Sequence, residues 1–126
     1  MTRILFLDDS PARRKWAEKT LKTAGNYIDT SASAFDAICA FGHNRFDVVY
    51  LDHDLNEEAF EDSSVRNCGM EVVRWIVANK PTIGEIIVHS MNTPAGHEMV
   101  QKLQEAGYTA KYRSFYRMIQ DKAGTT

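Results

Sequence analysis

Short apolar runs alternate with longer amphipathic stretches five times along this chain. Residues 3–7 form the first run, which predicts a buried strand, and it ends in Asp8-Asp9. Ser10-Pro11 then signals a helix start, because Ser caps well and Pro needs no N–H at the first helical position. The pattern predicts a helix over residues 12–24, with Trp16, Thr20, Leu21 and Ala24 inward. Arg13, Arg14, Lys15 and Lys19 fall mostly on its water side, and Gly25 stops it. A second strand is predicted over 26–30 and a second helix over 33–41, with Phe35, Ala37, Ile38 and Phe41 as its apolar face. Gly42-His43-Asn44 ends that helix.

Residues 47–51 form the third strand, and the apolar stretch from Val48 to Leu51 reads as buried on both faces. It runs into Asp52, His53 and Asp54, three ionisable groups whose burial is costly without a cation, a phosphate partner or water. A polar loop without apolar period covers 53–68. A third helix follows over 69–79, with Met70, Val73, Trp75 and Ile76 available to the core and Pro81 just beyond. The fourth strand, 85–88, leads to His89-Ser90-Met91-Asn92, and Thr93-Pro94 repeats the cap-plus-Pro signal before a helix over 95–106. Residues 108–112 read as a fifth strand, 115–122 as a last helix and 123–126 as a frayed tail.

This alternation with short connections predicts an α/β fold: one domain over residues 1–122, a parallel sheet and helices on both faces. Ligands in such sheets sit beyond the carboxyl ends of the strands. Three of those ends are polar here: Asp8-Asp9, Asp52-His53-Asp54 and His89-Ser90.

Charge sharpens this picture. The net charge of −2 conceals a segment, residues 47–71, holding eight acids against Arg66, while the flanking segments are net basic. That pattern points to a cation site or a solvated acidic loop. It lacks the clustered basic face that duplex DNA requires. No apolar run approaches membrane-spanning length, and the acidic residues so near the start do not fit a signal peptide. No lipidation motif is read at either end. Cys39 and Cys68 lack metal-ligand spacing and read as reduced thiols, which sets a cytoplasmic expectation.

The chain resembles a response-regulator receiver domain over nearly its whole length. The matching residues are the acidic pair Asp8-Asp9, Asp52 after the third strand, Ser90 after the fourth, and Arg113 in place of the family's Lys after the fifth. The resemblance implies a three-layer (βα)5 flavodoxin/CheY-like fold with strand order 2-1-3-4-5. It also implies Mg²⁺ bound by the acidic pair with Asp52, and a phosphoryl contact from Ser90. Departures are Ser114 where the family has Pro, Ala110 at the aromatic switch position, and a long acidic loop between Asp52 and Gly69. Two motifs, Leu51-Asp52-His53-Asp54-Leu55 and His89-Ser90-Met91-Asn92-Thr93-Pro94-Ala95-Gly96, are similar to a divergent branch, the cyclic-phosphate processing receiver domains (cREC). This second resemblance implies phosphoester chemistry on cyclic phosphates of a nucleotide or an RNA end. The alternatives are a stand-alone phosphoacceptor receiver, phosphorylated on Asp52 by a partner kinase, and a pseudo-receiver that only binds.

On their own chemistry, Asp8, Asp9 and Asp52 suit Mg²⁺ or Mn²⁺, with Asp54 as a further ligand or an orienting group. Ser90, Asn92 and Arg113 could donate to phosphate oxygens. Two imidazoles, His53 and His89, could take and give the protons that hydrolysis moves. Strand alternation turns His89 away from the site if Ser90 faces it, and leaves His53 the better placed. His43 and His97 read as surface residues, and Trp16, Trp75, Phe35 and Phe41 as core. The run from Glu57 to Asp62 reads as a solvated loop first and a lid second.

Overall fold

The structure is a computed structural model and describes residues 2–23, 25–56, 62–64 and 67–123. Strands β1 (Thr2–Leu7), β2 (Asn26–Ser31), β3 (Phe46–Leu51), β4 (Ile83–Val88) and β5 (Ala110–Tyr112) alternate with helices α1 (Pro11–Thr20), α2 (Ala34–His43), α3 (Gly69–Asn79), α4 (Thr93–Glu105) and α5 (Phe115–Ala123). The strands form one sheet in the order β2-β1-β3-β4-β5, every pair parallel. This is the flavodoxin/CheY-like arrangement that the resemblance implies.

Strand alternation divides the core in two. Leu5, Leu7, Val49, Leu51, Ile86 and Val88 pack on the side covered by α2, α3 and α4. Ile4, Phe6, Ile87, Val48 and Tyr50 pack on the other side, against Ala17 and Leu21 of the first helical segment and Met118 of α5. The central strands β1, β3 and β4 thus bury residues on both faces, which explains their apolar runs.

Three expectations change in detail. Helix α1 stops at Thr20, with Leu21 as its cap, rather than running to residue 24. The reason is local: Leu21 N–H bonds Ala17 O, and the Asn26 side-chain amide donates to Leu21 O at 3.1 Å, ending the helix in a turn. Ala24 itself lies outside the described residues. Phe35 is not core but 74% exposed. Ser33 caps α2 by accepting from Asp36 N, and the phase this sets turns Ala34 and Ala37 inward and Phe35 out. The fifth strand is shorter than expected, since Tyr108 N bonds Leu103 O in the turn before it.

Helix α5 ends at Ala123, and the remainder of the expected tail lies outside the described residues. So does most of the Glu57–Asp62 run. The ends of that long loop are tied by a β-bridge between Asp54 and Cys68.

Candidate metal and phosphate site

The hydrogen-bond ladder of the sheet continues one residue past the strands. Asp8 N bonds Ser31 O, Asp52 N bonds Leu7 O, His89 N bonds Leu51 O and Arg113 N bonds Val88 O. Asp8, Asp52, His89 and Arg113 therefore form a row across the carboxyl edge. They follow Phe6, Tyr50, Ile87 and Lys111 by two positions, so alternation turns the row toward the α1–α5 side of the sheet. At β3 and β4 the next residue, His53 and Ser90, turns the opposite way, whereas Asp9, in the turn before α1, stays with the acids. This single geometric fact sorts the candidates.

Asp8, Asp9 and Asp52 converge: each offers a carboxylate oxygen, and these atoms lie within 4.8 Å of one another. Asp8 and Asp52 are buried and Asp9 is partly so. Among the described residues Asp54 is not in that group, although it lines the same cavity. Burial pushes the Asp52 carboxyl up to about 8, and the neighbouring Asp8 and Asp9 charges add to that while Arg13 opposes it. A buried Asp52 carboxyl that resists ionising marks a site short of positive charge. Three hard oxygen donors fit Mg²⁺ or Mn²⁺, which prefer carboxylate and water ligands.

Arg13, expected on the water side of its helix, instead leans over these acids. Its Nε donates to Asp8 at 2.7 Å, and its Nη2 lies 3.8 Å from Asp9 and 3.7 Å from Asp52. The local cause is the turn at Ser10. The Ser10 hydroxyl accepts from Arg13 N, and Asp8 accepts from Ser10 N, which starts α1 directly above the acids. Arg14 reinforces the turn by donating to Asp8 O at 2.9 Å. The signal was in the sequence: Arg13 lies four residues after Asp9, one helical turn away.

His89 and His53 exchange the roles expected from alternation. The strand phase is set by Ile87, so His89 faces the acids and Ser90 turns inward. The His89 ring stacks on Phe6 at 4.8 Å between centroids, and its Nδ1 lies 3.7 Å from Asp8. Neither ring nitrogen has a hydrogen-bond partner among the described residues. Burial lowers its pKa to about 4 against the pull of Asp8, so the ring is neutral at physiological pH. His53 is fully buried on the other side. Its Nδ1 meets Asp54 at 2.7 Å and its Nε2 meets the Ser63 hydroxyl at 3.1 Å. Burial would lower its pKa, but hydrogen bonds to Cys68 and Asp54 raise it to about 9. The same contact lowers the Cys68 thiol against the effect of its burial.

The remaining candidates serve first as local structure. The Ser90 hydroxyl accepts from Asn92 N at 3.0 Å. The Asn92 side chain caps α4 at Ala95 N, and its amide reaches Asp54 at 3.5 Å. The Arg113 guanidinium pairs with Asp121 of α5. Tyr112, its neighbour on β5, lines the cavity instead, and its hydroxyl donates to Ser90 O. Tyr112 can lie there because position 96 is Gly: a Cβ on it would stand 2.7 Å from the ring.

Asp9 and Asp52 floor a cavity of about 740 Å³. Arg13, Asp54 and His89 border the floor, while Pro11, Met91, Tyr112, Phe115 and Tyr116 build an apolar wall above it. That volume suits a whole small molecule, for which sites of roughly 300–1,000 Å³ are usual. No helix among the described residues is long and apolar enough to cross a membrane.

Comparison with known proteins agrees with this geometry. The fold is similar to that of chemotaxis protein CheY4 from Vibrio cholerae, at 19% identity, with 100% of this chain and 99% of that one covered and a TM-score of 0.64. It is similar to response regulator TrrA from Thermotoga maritima in complex with Mg²⁺-BeF, at 24% identity, 99% and 98% coverage and a TM-score of 0.66. A CheY-like receiver domain from Methanospirillum hungatei gives 17% identity, 99% and 92% coverage and a TM-score of 0.63. Among curated proteins none matches the chain. Residues 3–105 match the family described as the cyclic-phosphate processing Receiver domain, and the chain belongs to that family.

Proposed function

We propose that the chain binds and hydrolyses a phosphoester, the cyclic phosphate of a nucleotide or an RNA end, in a reaction that depends on Mg²⁺ or Mn²⁺. The observation that carries this reading is the cavity. A molecule-sized space opens over Asp9 and Asp52 of the carboxylate cluster, and its wall holds the neutral His89 ring, whose nitrogens have no hydrogen-bond partner among the described residues. A site that only stores a phosphoryl group on Asp52 needs neither the space nor the ring.

Asp8, Asp9 and Asp52 would hold the ion, and Asp54 would line the site without joining them. Such an ion supplies charge neutralisation at the acids and polarises the phosphoryl oxygens. Arg13 offers a planar guanidinium suited to a phosphate oxygen pair. His89 takes the proton of the attacking water and returns it to the oxygen that leaves phosphorus. One P–O bond forms, the ring P–O bond breaks, and the proton count closes with a single imidazole. His53 acts from behind, holding Asp54 through Nδ1. Ser90 and Asn92 shape the loop at the cavity edge, and Arg113, tied to Asp121, is assigned no phosphate contact in this mechanism.

The test is turnover of a 2′,3′-cyclic nucleotide with Mg²⁺ or Mn²⁺. His89→Ala is expected to lower kcat by roughly 10²–10⁴-fold, the usual contribution of a positioned acid–base group. His53→Ala is expected to have a smaller effect. Arg13→Ala is expected to raise KM more than it lowers kcat. No turnover by the parent chain, with stable label on Asp52 from acetyl phosphate, overturns the hydrolase reading.

That outcome would favour a phosphoacceptor receiver. The position of Asp52, after β3 and beside the acidic pair, supports this second reading. Against it stands Tyr112, held by Ser90 O and by contact with Gly96, which leaves no freely rotating aromatic on β5 to report phosphorylation.

A further inference from the structure

We propose that the apolar wall of the cavity is a nucleobase subsite, built by Tyr116, Met91 and Phe115, so that the substrate is a nucleoside phosphate and not a bare sugar or alkyl phosphate. This inference rests on the phosphoester reading and adds to it which part of the ligand the upper cavity holds.

Three observations carry it. The cavity is far larger than one phosphoryl group and its ion require, and the space lies on the apolar side. Two of its wall residues, Met91 and Tyr116, are each 71% exposed. They come from separate connections, β4–α4 and the start of α5, yet border the same space. Large apolar side chains left in water at the mouth of a charged site fit a flat, uncharged ring that covers them. Phe115 is the fixed part of the wall, packed edge-on against Trp16 at 4.9 Å, and the Arg13 guanidinium lies 5.8 Å from its ring centre. Charge at the floor and flat apolar surfaces above it match a ligand with a phosphoryl group at one end and a base at the other.

Among the described residues, no charged side chain lines the cavity beside Met91, Phe115 and Tyr116 other than those of the floor. Recognition there is by stacking, which is tolerant of base identity because every base presents a π-face. The subsite therefore distinguishes a base from no base more strongly than one base from another.

The experiment compares three ligands in Mn²⁺: ribose 2′,3′-cyclic phosphate without a base, nucleoside 2′,3′-cyclic phosphates, and a short RNA ending in a 2′,3′-cyclic phosphate. Turnover gives kcat/KM. Binding is followed by the fluorescence of Trp16, which touches Phe115, in a Trp75→Phe background. The nucleoside is expected to bind roughly 5- to 100-fold tighter than the base-free ligand. Tyr116→Ala, on an exposed side chain, should remove most of that ratio. A preference for the RNA over the mononucleotide assigns the subsite to an RNA end, and the reverse to a free nucleotide. Equal kcat/KM for base-free and nucleoside ligands, unchanged in Tyr116→Ala, overturns the base subsite and leaves the phosphoesterase intact. Failure of all three ligands to bind or turn over overturns the phosphoester reading, and this inference with it.

Discussion

Three carboxylates within 4.8 Å and one guanidinium leave surplus negative charge at the sheet edge. At 4.8 Å a like-charge pair repels by about 3.5 kcal/mol at an effective dielectric of about 20. Asp52 bears the consequence, with a pKa raised to about 8 first by burial and then by Asp8. Its folded pKa lies above the unfolded value of 3.8, so the folded state binds the extra proton and stability falls as pH rises from about 4 to about 8. Asp52→Asn removes this penalty. Without divalent ions it should raise Tm at pH 7.5 by several degrees, on the order of 1–2 kcal/mol, and the gain should vanish near pH 4. His89 carries the opposite sign. Its pKa is lowered to about 4 by burial, so its contribution is present above about 6.5 and is lost as pH falls toward 4. Between about pH 4 and 6.5 the two slopes oppose each other in the parent, so His89→Gln should leave the Asp52 slope alone and make Tm more pH-dependent across that window.

At the scale of elements, two glycines set how closely helices approach the site. A Cβ at Gly69, the first residue of α3, would collide with the Asp52 carbonyl oxygen and stand 2.8 Å from the His53 Cα. Backbone cannot yield as a side-chain tip can. Gly69→Ala should therefore cost about 3 kcal/mol or more, and displace the strand end that carries Asp52. Gly96→Ala crowds the Tyr112 ring, a side chain that can shift, and should cost about 1–3 kcal/mol, read by denaturant unfolding. Because Tyr112 lines the cavity, the same substitution should weaken ligand binding while leaving divalent-ion binding unchanged.

The whole molecule explains why the site's cation comes from α1. In the receiver pattern a basic residue follows β5, and Arg113 holds that place here. Arg113 faces the α1–α5 side, where Asp121 of α5 claims it, and Arg13 reaches Asp8 and Asp52 instead. A divalent ion should relieve the remaining charge and stabilise the fold. Millimolar Mg²⁺ or Mn²⁺ should raise Tm in proportion to RT ln(1 + [L]/Kd). The rise should be abolished in Asp9→Asn and retained in Asp54→Asn. Equal loss in both would place Asp54 among the ligands.

Local signals along the chain already specify the five-fold alternation, the parallel sheet and the gathering of Asp8, Asp9 and Asp52 at one edge. Apolar runs, caps and turn residues are local signals, and topology carries strand ends to a common edge whatever their side chains. Only the tertiary structure decided which side of that edge each residue faces. The phase of β4 put His89 in the cavity and Ser90 behind it; the phase of β3 put Asp52 in and His53 out. A one-residue step reverses facing in a strand, and nothing in His89-Ser90 or Asp52-His53 alone states which residue is in step. Arg13 and Phe35 depart from their expected faces for a related reason. A helix's inward face depends on where its cap starts it and what lies beneath: buried acids drew Arg13 in, and Ser33 set a phase that turned Phe35 out. Burial, charge and reach are properties of the assembled neighbours, and they exist only once the chain has folded.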